Sequence, residues 1–215
     1  MNGSEHCSQD KMRYLDQEYG LFAQQLIQYG EGREDGDFAH PVFGCGNITS
    51  DIMLIGEAPG KEEAALGAPF VGKAGKTLTY LLDLIDIDRE NIYISNVVKF
   101  RPYTRTNHGY KNRTPNKKEI EKGLELLSKE IETVNPRVIV TLGNTPLYAV
   151  CRILGLKFET IGTMHGKLYS AEPGRIQLFP AYHPASCIYN RALEPVLEED
   201  MMKLRTILKT TESGF

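Results

Sequence analysis

The sequence DIMLIGEAPG at residues 51–60 joins a short apolar run to a turn rich in glycine and proline. This pattern is typical of a buried strand that ends in a loop. Three later runs have the same apolar character: IYISNVVK at 92–99, PRVIVTL at 136–142 and IQLFPA at 176–181. Strands of this kind, separated by helix-length segments, predict an α/β fold with a short, mostly parallel central sheet.

Helical periodicity recurs between and around these strands. Thr145 is a candidate N-cap, because Pro146 follows it and suits the first turn of a helix. Because ligands bind at the carboxyl ends of parallel strands, we look for function just after residues 55, 97 and 181. The expected helices cover 9–28, 73–85, a segment that begins after Pro115, 145–154 and 193–209, with a loop at 29–40.

Composition excludes several classes of protein. The chain has 215 residues, of which 41% are apolar and 25% charged, as expected for a globular protein with one sizeable core. The apolar runs are far shorter than the ~20 residues that cross a bilayer, and the first residues lack the apolar region of a secretory signal. We therefore expect a cytoplasmic protein without a membrane segment, and we expect it to be a monomer.

Charge and cysteine content are less informative. A net charge of −3 gives no hint of a nucleic-acid partner. Four cysteines suit a metal or iron–sulfur site, but Cys7, Cys45, Cys151 and Cys187 include no CxxC pair, which favours scattered reduced thiols.

The loop after the first strand contains two partial matches to a Walker A sequence. GAPFVGK at 67–73 is followed by Ala74 where a Ser or Thr must reach magnesium, and GKT at 75–77 has Phe70 where the leading glycine belongs. A nucleotide hydrolase is therefore disfavoured.

Polar side chains follow three of the predicted strands. Glu63 comes after the GEAPG turn and could orient water or stabilise a cation, Asn96 offers one donor and one acceptor, and His183 could donate to a developing oxyanion. Each also has an ordinary structural explanation, as a solvated glutamate, a capping asparagine or a surface histidine. Ser186 beside His183 does not indicate a serine hydrolase, because no Gly-x-Ser-x-Gly elbow is present.

The ordered set of motifs is more specific than any one of them. GEAPG, PFVGKAG, NVVK-x-RP, NRTP, PRVIVTLG and HPAS follow one another between residues 56 and 186. In this order and spacing the chain resembles the uracil-DNA glycosylase superfamily over residues 42–208, with the family 4 type of bacteria and archaea as the nearest branch. The resemblance implies a three-layer α/β/α sandwich and excision of uracil from DNA.

The resemblance also implies roles for single positions. The amide of Asn96 would read the O4 and N3–H edge of uracil, Phe70 would stack on its ring, and His183 would lie near its O2 atom. Segment 184–191 would enter the minor groove, with Ser186 and Arg191 on DNA. The residue that activates water stays unassigned. The other implied positions are Glu57 and Ala58 beside the glycosidic bond and Glu63 as a carboxylate of the extended first motif.

One feature of the family 4 pattern is missing. That family usually holds a [4Fe–4S] cluster on a CxxC before the first motif and on two later cysteines. Here no CxxC precedes residue 42, Phe100 follows NVVK, and the last ligand position falls near Gly123. We therefore expect no cluster, no metal and no other cofactor.

Segment 101–118 is locally basic, with six Lys or Arg and no acidic residue. Most such runs are solvated loops. With tyrosines 103 and 110 interleaved, we favour contact with the DNA backbone. The candidates are Arg101, Arg105, Lys111 and Arg113.

Three functional hypotheses follow. The leading one is a glycosylase for uracil in DNA. Another deaminated base, hypoxanthine or xanthine, is the close alternative, and a non-catalytic member that binds DNA or uracil is the distant one. Residues 1–40 are expected to add a helix and loop to the core of a glycosylase-like domain at 41–210.

Overall fold

The computed structural model describes residues 3–170 and 176–212, with side chains described for 6–170 and 176–210. A short 3₁₀ helix also covers Arg89–Asn91. The helices are α1 (Gly3–Gly30), α2 (Lys61–Leu66), α3 (Lys73–Leu84), α4 (Lys117–Val134), α5 (Asn144–Leu154), α6 (Ile161–Met164), α7 (Ser186–Tyr189) and α8 (Leu193–Glu212). The strands are β1 (Gly36–Asp37), β2 (Cys45–Gly46), β3 (Ile52–Gly56), β4 (Tyr93–Asn96), β5 (Arg101–Thr106), β6 (Gly109–Asn112), β7 (Val138–Leu142) and β8 (Gln177–Ala181).

The central sheet has the strand order β2-β4-β3-β7-β8. The four long strands are parallel, and only the short edge strand β2 is antiparallel to its neighbour. Alternate residues of each strand face opposite sides, so Met53 and Ile55 pack in one core cluster and Leu54 in the other. Helices α1, α4 and α5 cover the first side, and α3 and α8 cover the second. The predicted α/β/α sandwich with a mostly parallel sheet is confirmed.

Helix α1 is an integral part of one layer. Its side chains Leu15, Phe22 and Leu26 are buried in the same cluster as Leu127 and Ile131 of α4. Burying a side chain of this size stabilises a fold by about 1.5–3 kcal/mol, so α1 contributes directly to the core.

Segment 101–118 has regular structure that its sequence did not indicate, because β5 and β6 form an antiparallel hairpin that also pairs with β1. One local expectation was wrong. Thr145 is not the N-cap of α5, because the helix begins at Asn144 after Gly143, whose φ of +98° suits glycine.

Within the described residues, no helix is both long and apolar enough to cross a membrane.

Candidate active site

A cavity of about 350 Å³ opens at the carboxyl ends of β3, β4 and β8. This is the edge at which parallel sheets bind ligands. The amino end of α3 and the end of β6 complete its walls. The sequence-predicted residues that line it are Ala58, Glu63, Phe70, Asn96 and His183.

Asn96 is the last residue of β4 and lies in register with Gly56 of β3. Only 3% of its surface is exposed. A Cβ atom on Gly56 would approach Asn96 Oδ1 to 2.4 Å, so the glycine leaves room for the carboxamide. Among the described residues this carboxamide has no hydrogen-bond partner, which leaves its donor and acceptor for a ligand.

A buried ion pair holds the backbone beneath Asn96. The ammonium of Lys99 donates to Glu130 Oε2 at 2.6 Å, to Ser95 Oγ at 2.7 Å and to the carbonyl oxygen of Asn96 at 2.7 Å. Burial lowers the pKa of Lys99, and the Glu130 carboxylate opposes that shift. The hydroxyl of Tyr19 on α1 donates to Glu130 at 2.8 Å. Helix α1 is therefore coupled to the end of the strand that presents Asn96.

The buried ring of Phe70 forms part of the cavity wall. Its backbone has a φ of +54°, and its carbonyl oxygen would lie 1.8 Å from a Cβ on Gly75. Only glycine fits at that point of α3, which explains the glycine that ends the PFVGKAG motif. The Phe70 ring lies 5.8 Å from the His183 ring, with 27° between their planes.

His183 is held in one tautomer by the turn that follows β8. Its Nδ1 accepts a hydrogen bond from the backbone N–H of Ala185 at 3.1 Å, so the proton of the neutral ring is on Nε2. Burial lowers the pKa of His183 to about 4, against a small opposing effect of Glu63. At neutral pH the ring is an uncharged donor.

The two candidate glutamates, Glu57 and Glu63, lie in different surroundings. Glu63 lines the cavity, and its carboxylate accepts the backbone N–H of Gly60 at 3.1 Å and that of Gly72 at 2.9 Å. Glu57 is not among the residues that line the cavity. Its Oε2 accepts the hydroxyl of Thr145 at 2.6 Å, and burial raises its pKa. The structure thus brings Glu63, but not Glu57, to the cavity.

The four basic candidates of segment 101–118 divide into two pairs. Arg101 is largely buried and donates to Asn112 Oδ1 at 2.7 Å. Arg113 donates to Glu119 Oε1 at 2.7 Å and to an Asp35 carboxylate oxygen at 2.9 Å. Arg101 and Arg113 therefore stabilise the fold through these contacts. Arg105 and Lys111 are exposed, and Arg105 has only a loose, exposed pair with Glu34 at 3.8 Å.

Segment 184–191 borders the cavity on the other side. Its α7 helix places Ile188 and Tyr189 at the rim, where Tyr189 is 89% exposed. Arg191 is also exposed. The hydroxyl of Ser186 donates to the carbonyl oxygen of His183 at 2.5 Å. In the structure this hydroxyl therefore stabilises the turn.

Several cavity residues were not singled out from the sequence, among them Lys73 and Asn112. A signal existed for Asn112, since it begins the NRTP motif, but its role depends on the hairpin, which the sequence did not indicate.

The residues present do not fit the four-thiolate cluster of the family 4 pattern. The cysteines lie on α1, β2, α5 and α7, and in the described part of the chain no three metal-binding side chains come together. Phe100 instead packs its ring 4.4 Å from that of Phe38. At Gly123, a Cβ would lie 2.1 Å from the carbonyl oxygen of Val97, so no side chain fits there.

Purified protein should therefore contain no stoichiometric iron. The expected result is iron below about 0.1 atom per chain by elemental analysis after anaerobic purification, since a cluster needs three or four cysteine ligands close together. Absorbance near 400 nm together with about four irons per chain would contradict this.

Comparisons with known proteins place the chain in one family. Residues 43–205 match the sequence profile of the Uracil DNA glycosylase superfamily. The chain is 40% identical over 172 residues to a type-4 uracil-DNA glycosylase of Saccharolobus solfataricus, covering 79% of this chain and 76% of that protein. It is 38% identical over 165 residues to the type-4 enzyme of Archaeoglobus fulgidus, covering 76% and 79%. It is also 38% identical over 170 residues to that of Thermotoga maritima, covering 78% and 83%.

Proposed function

The chain belongs to the uracil-DNA glycosylase superfamily, and we propose that it removes uracil from DNA by hydrolysing the N-glycosidic bond and leaving an abasic site. One observation carries the proposal beyond family membership: Asn96, Phe70 and His183 line a single cavity. Together they provide an amide with an unused donor and acceptor, an aromatic face and a neutral ring with one N–H.

A base inside a duplex is out of reach of such a cavity, so the uracil nucleotide must first be flipped out. We propose that segment 184–191 assists this step from the DNA minor groove. The exposed side chains of Ile188 and Tyr189 at the cavity rim support this, because apolar side chains at such a position can fill the space that the base leaves.

In the proposed reaction, the bond between C1′ and N1 breaks and its electron pair goes to uracil. Negative charge then develops on uracil O2, where the Nε2–H of His183 would donate. Positive charge develops on the sugar, and we propose the carboxylate of Glu63, one of the two glutamates that line the cavity, as its stabiliser. Water adds to C1′ and gives up a proton to the solvent, the uracil anion takes up a proton in turn, and the abasic site is complete.

The role of Glu63 can be separated from that of Glu57. Glu63→Gln is expected to lower kcat/KM by about 10- to 100-fold, because an amide can replace only one of the two oxygens that accept N–H groups, and the charge is lost. Glu57→Gln is the matched control, with an expected loss of less than about fivefold, since the Thr145 hydroxyl can reverse its role and accept from the new amide. Equal losses in steady-state uracil release would contradict this assignment.

For DNA contacts, we propose that Arg105 and Lys111 bind phosphates, together with Arg191. For duplex DNA, the double variant Arg105→Ala/Lys111→Ala should reduce the slope of log Kd against log salt concentration by about 2. Each lost phosphate contact accounts for about 0.9 of that slope. Fluorescence anisotropy measures this slope. Lys11→Ala is the control. Lys11 lies on α1 and contacts the end of α4 that is away from the hairpin. An unchanged slope in the double variant would remove the hairpin from the interface.

The remaining proposals concern the location of the protein in the cell, its oligomeric state and the role of residues 1–40. We propose that the protein is a cytoplasmic monomer. We also propose that residues 1–40 act as an added helix and loop on the 41–210 domain, supported by the buried face of α1. Size-exclusion chromatography with light scattering tests the monomer.

Base specificity is tested with oligonucleotides that carry one uracil, hypoxanthine, xanthine or thymine. Release of uracil alone is the expected result. Nothing in the structure favours hypoxanthine or xanthine, and a preference for either would replace the proposed substrate.

A further inference from the structure

The β5–β6 hairpin has two different faces. In the antiparallel register, Tyr103 is opposite Asn112 and Arg105 is opposite Tyr110. Residues that oppose each other share a face, and so do residues two apart on one strand. Arg101, Tyr103, Arg105, Tyr110 and Asn112 therefore lie on one face. Thr104 and Lys111 lie on the other.

The first of these faces continues the wall of the cavity. Asn112 lines the cavity directly. Arg101 ties it to the rest of the face, since its guanidinium donates to Asn112 Oδ1 at 2.7 Å and to the carbonyl oxygen of Tyr110 at 3.3 Å. The same guanidinium lies 5.5 Å from the centre of the Tyr103 ring. The face is thus a fixed extension of the site.

An aromatic pair stands at the outer part of this face. The ring centres of Tyr103 and Tyr110 are 4.5 Å apart, so the Tyr103 ring packs against the Tyr110 ring. Tyr110 is 56% exposed, so much of its ring remains accessible to a ligand. The whole of segment 101–118 lacks an acidic residue, and Arg105 accompanies the rings on the same face.

We propose that this face binds the nucleotide next to the flipped uracil as an unpaired base, stacked on Tyr110. An aromatic ring beside cations and free of acidic neighbours in its own segment is how proteins bind single-stranded DNA, because bases stack on the ring while cations follow the phosphates. The occupant is DNA because the face is continuous with the cavity. This inference rests on the proposed function and adds to it a contact with one flanking base.

The test is a double-mutant cycle between Tyr110 and the flanking bases. Single-stranded oligonucleotides carry one uracil, and the two nucleotides on its 5′ or 3′ side are replaced by abasic spacers that keep the phosphates. Tyr110→Ala should lower kcat/KM about tenfold on the intact strand, which is in the range expected for one stacked base. On one of the two spacer strands, the wild-type protein should fall to a similar level and Tyr110→Ala should cause no further loss.

Two variants separate stacking from folding. Tyr110→Phe keeps the ring and should retain activity within about twofold, because stacking does not need the hydroxyl group. Thr104→Ala removes neither a ring nor a charge, and Thr104 does not share the face of Tyr110, so this variant should behave like the wild type on every strand. Melting temperatures check that each variant is folded.

The outcomes are distinguishable. Equal effects of Tyr110→Ala on intact and both spacer strands, or no effect on any strand, would overturn the stacking proposal while leaving the glycosylase in place. If the wild-type protein released no uracil at all, the proposed function would fail. Anisotropy with the same strands would then decide on stacking alone, with weaker binding by Tyr110→Ala than by Tyr110→Phe supporting it and equal binding refuting it.

Discussion

Replacing Asn96 by alanine should lower the single-turnover rate of uracil excision by about 10³-fold, equivalent to about 4 kcal/mol of transition-state stabilisation. The carboxamide is buried at the end of β4 and has an unused donor and acceptor in the described structure. Uracil presents an acceptor at O4 and a donor at N3, so both bonds can form at once. Removing the amide leaves these groups of the base buried without partners, which is more costly than losing a solvated contact.

The same variant should bind undamaged DNA almost as well as the wild-type protein. Asn96 lies inside the cavity rather than on the outer surface, and phosphate contacts supply most of the affinity for undamaged DNA. Anisotropy measures this binding, and a melting curve checks the fold. Excision within tenfold of the wild-type rate in a folded Asn96→Ala protein would show that another group reads the base.

The second large effect is expected at His183. His183→Asn should lower kcat by about 10²- to 10³-fold with little change in KM, because the lost donor acts on charge that develops only in the transition state. Asparagine is the sharper replacement, since its side-chain oxygen can still accept the backbone N–H of Ala185 two residues on. It therefore keeps the turn, while its own amide N–H groups end short of the position of Nε2, the donor that we propose for uracil O2. His183→Ala should lose as much activity, and retention of activity by His183→Asn would exclude the donor role.

The lowered pKa of His183 makes a separate prediction for stability. The folded protein resists protonation of this ring down to about pH 4, whereas the unfolded chain binds the proton near pH 6.5. Between these values the unfolded state holds more protons, so the contribution of His183 to the free energy of unfolding rises with pH. The difference between wild type and His183→Asn should change by at most about 1.4 kcal/mol per pH unit in this window. Denaturant melts from pH 4 to 7 measure it, and a difference that does not vary with pH would contradict a ring that stays neutral in the folded protein.

The central strands and their polar ends were predictable because local sequence determines them. Ile52–Gly56 and Val138–Leu142 are short apolar runs bounded by turns, and parallel strands bring Asn96 and His183 to the same edge wherever they lie in the chain. The ordered motifs then identified Phe70, whose ring does line the cavity.

The hairpin was not predictable in the same way. Its residues beyond Tyr103 are all exposed, so no apolar alternation marks the strands. The pairing of Arg101 depends on the hairpin itself, because its partners are Asn112 and Tyr110. The pairing of Arg113 depends on a distant residue, Asp35, which lies 78 residues earlier in the chain. The same holds for Thr145, which donates to Glu57 across 88 residues instead of capping its own helix. A basic run in a sequence cannot show which of its charges are already paired.

We propose that one cavity both reads uracil and cleaves its sugar bond. Detection of free uracil from a single-uracil oligonucleotide with enzyme in excess, for the wild-type protein and for Asn96→Ala, tests this dual role. The wild-type protein should release one uracil per strand and leave an alkali-sensitive abasic site, and the variant should do so at a rate about 10³-fold lower. No free uracil from any uracil-containing strand, by a folded protein that binds DNA, would contradict it.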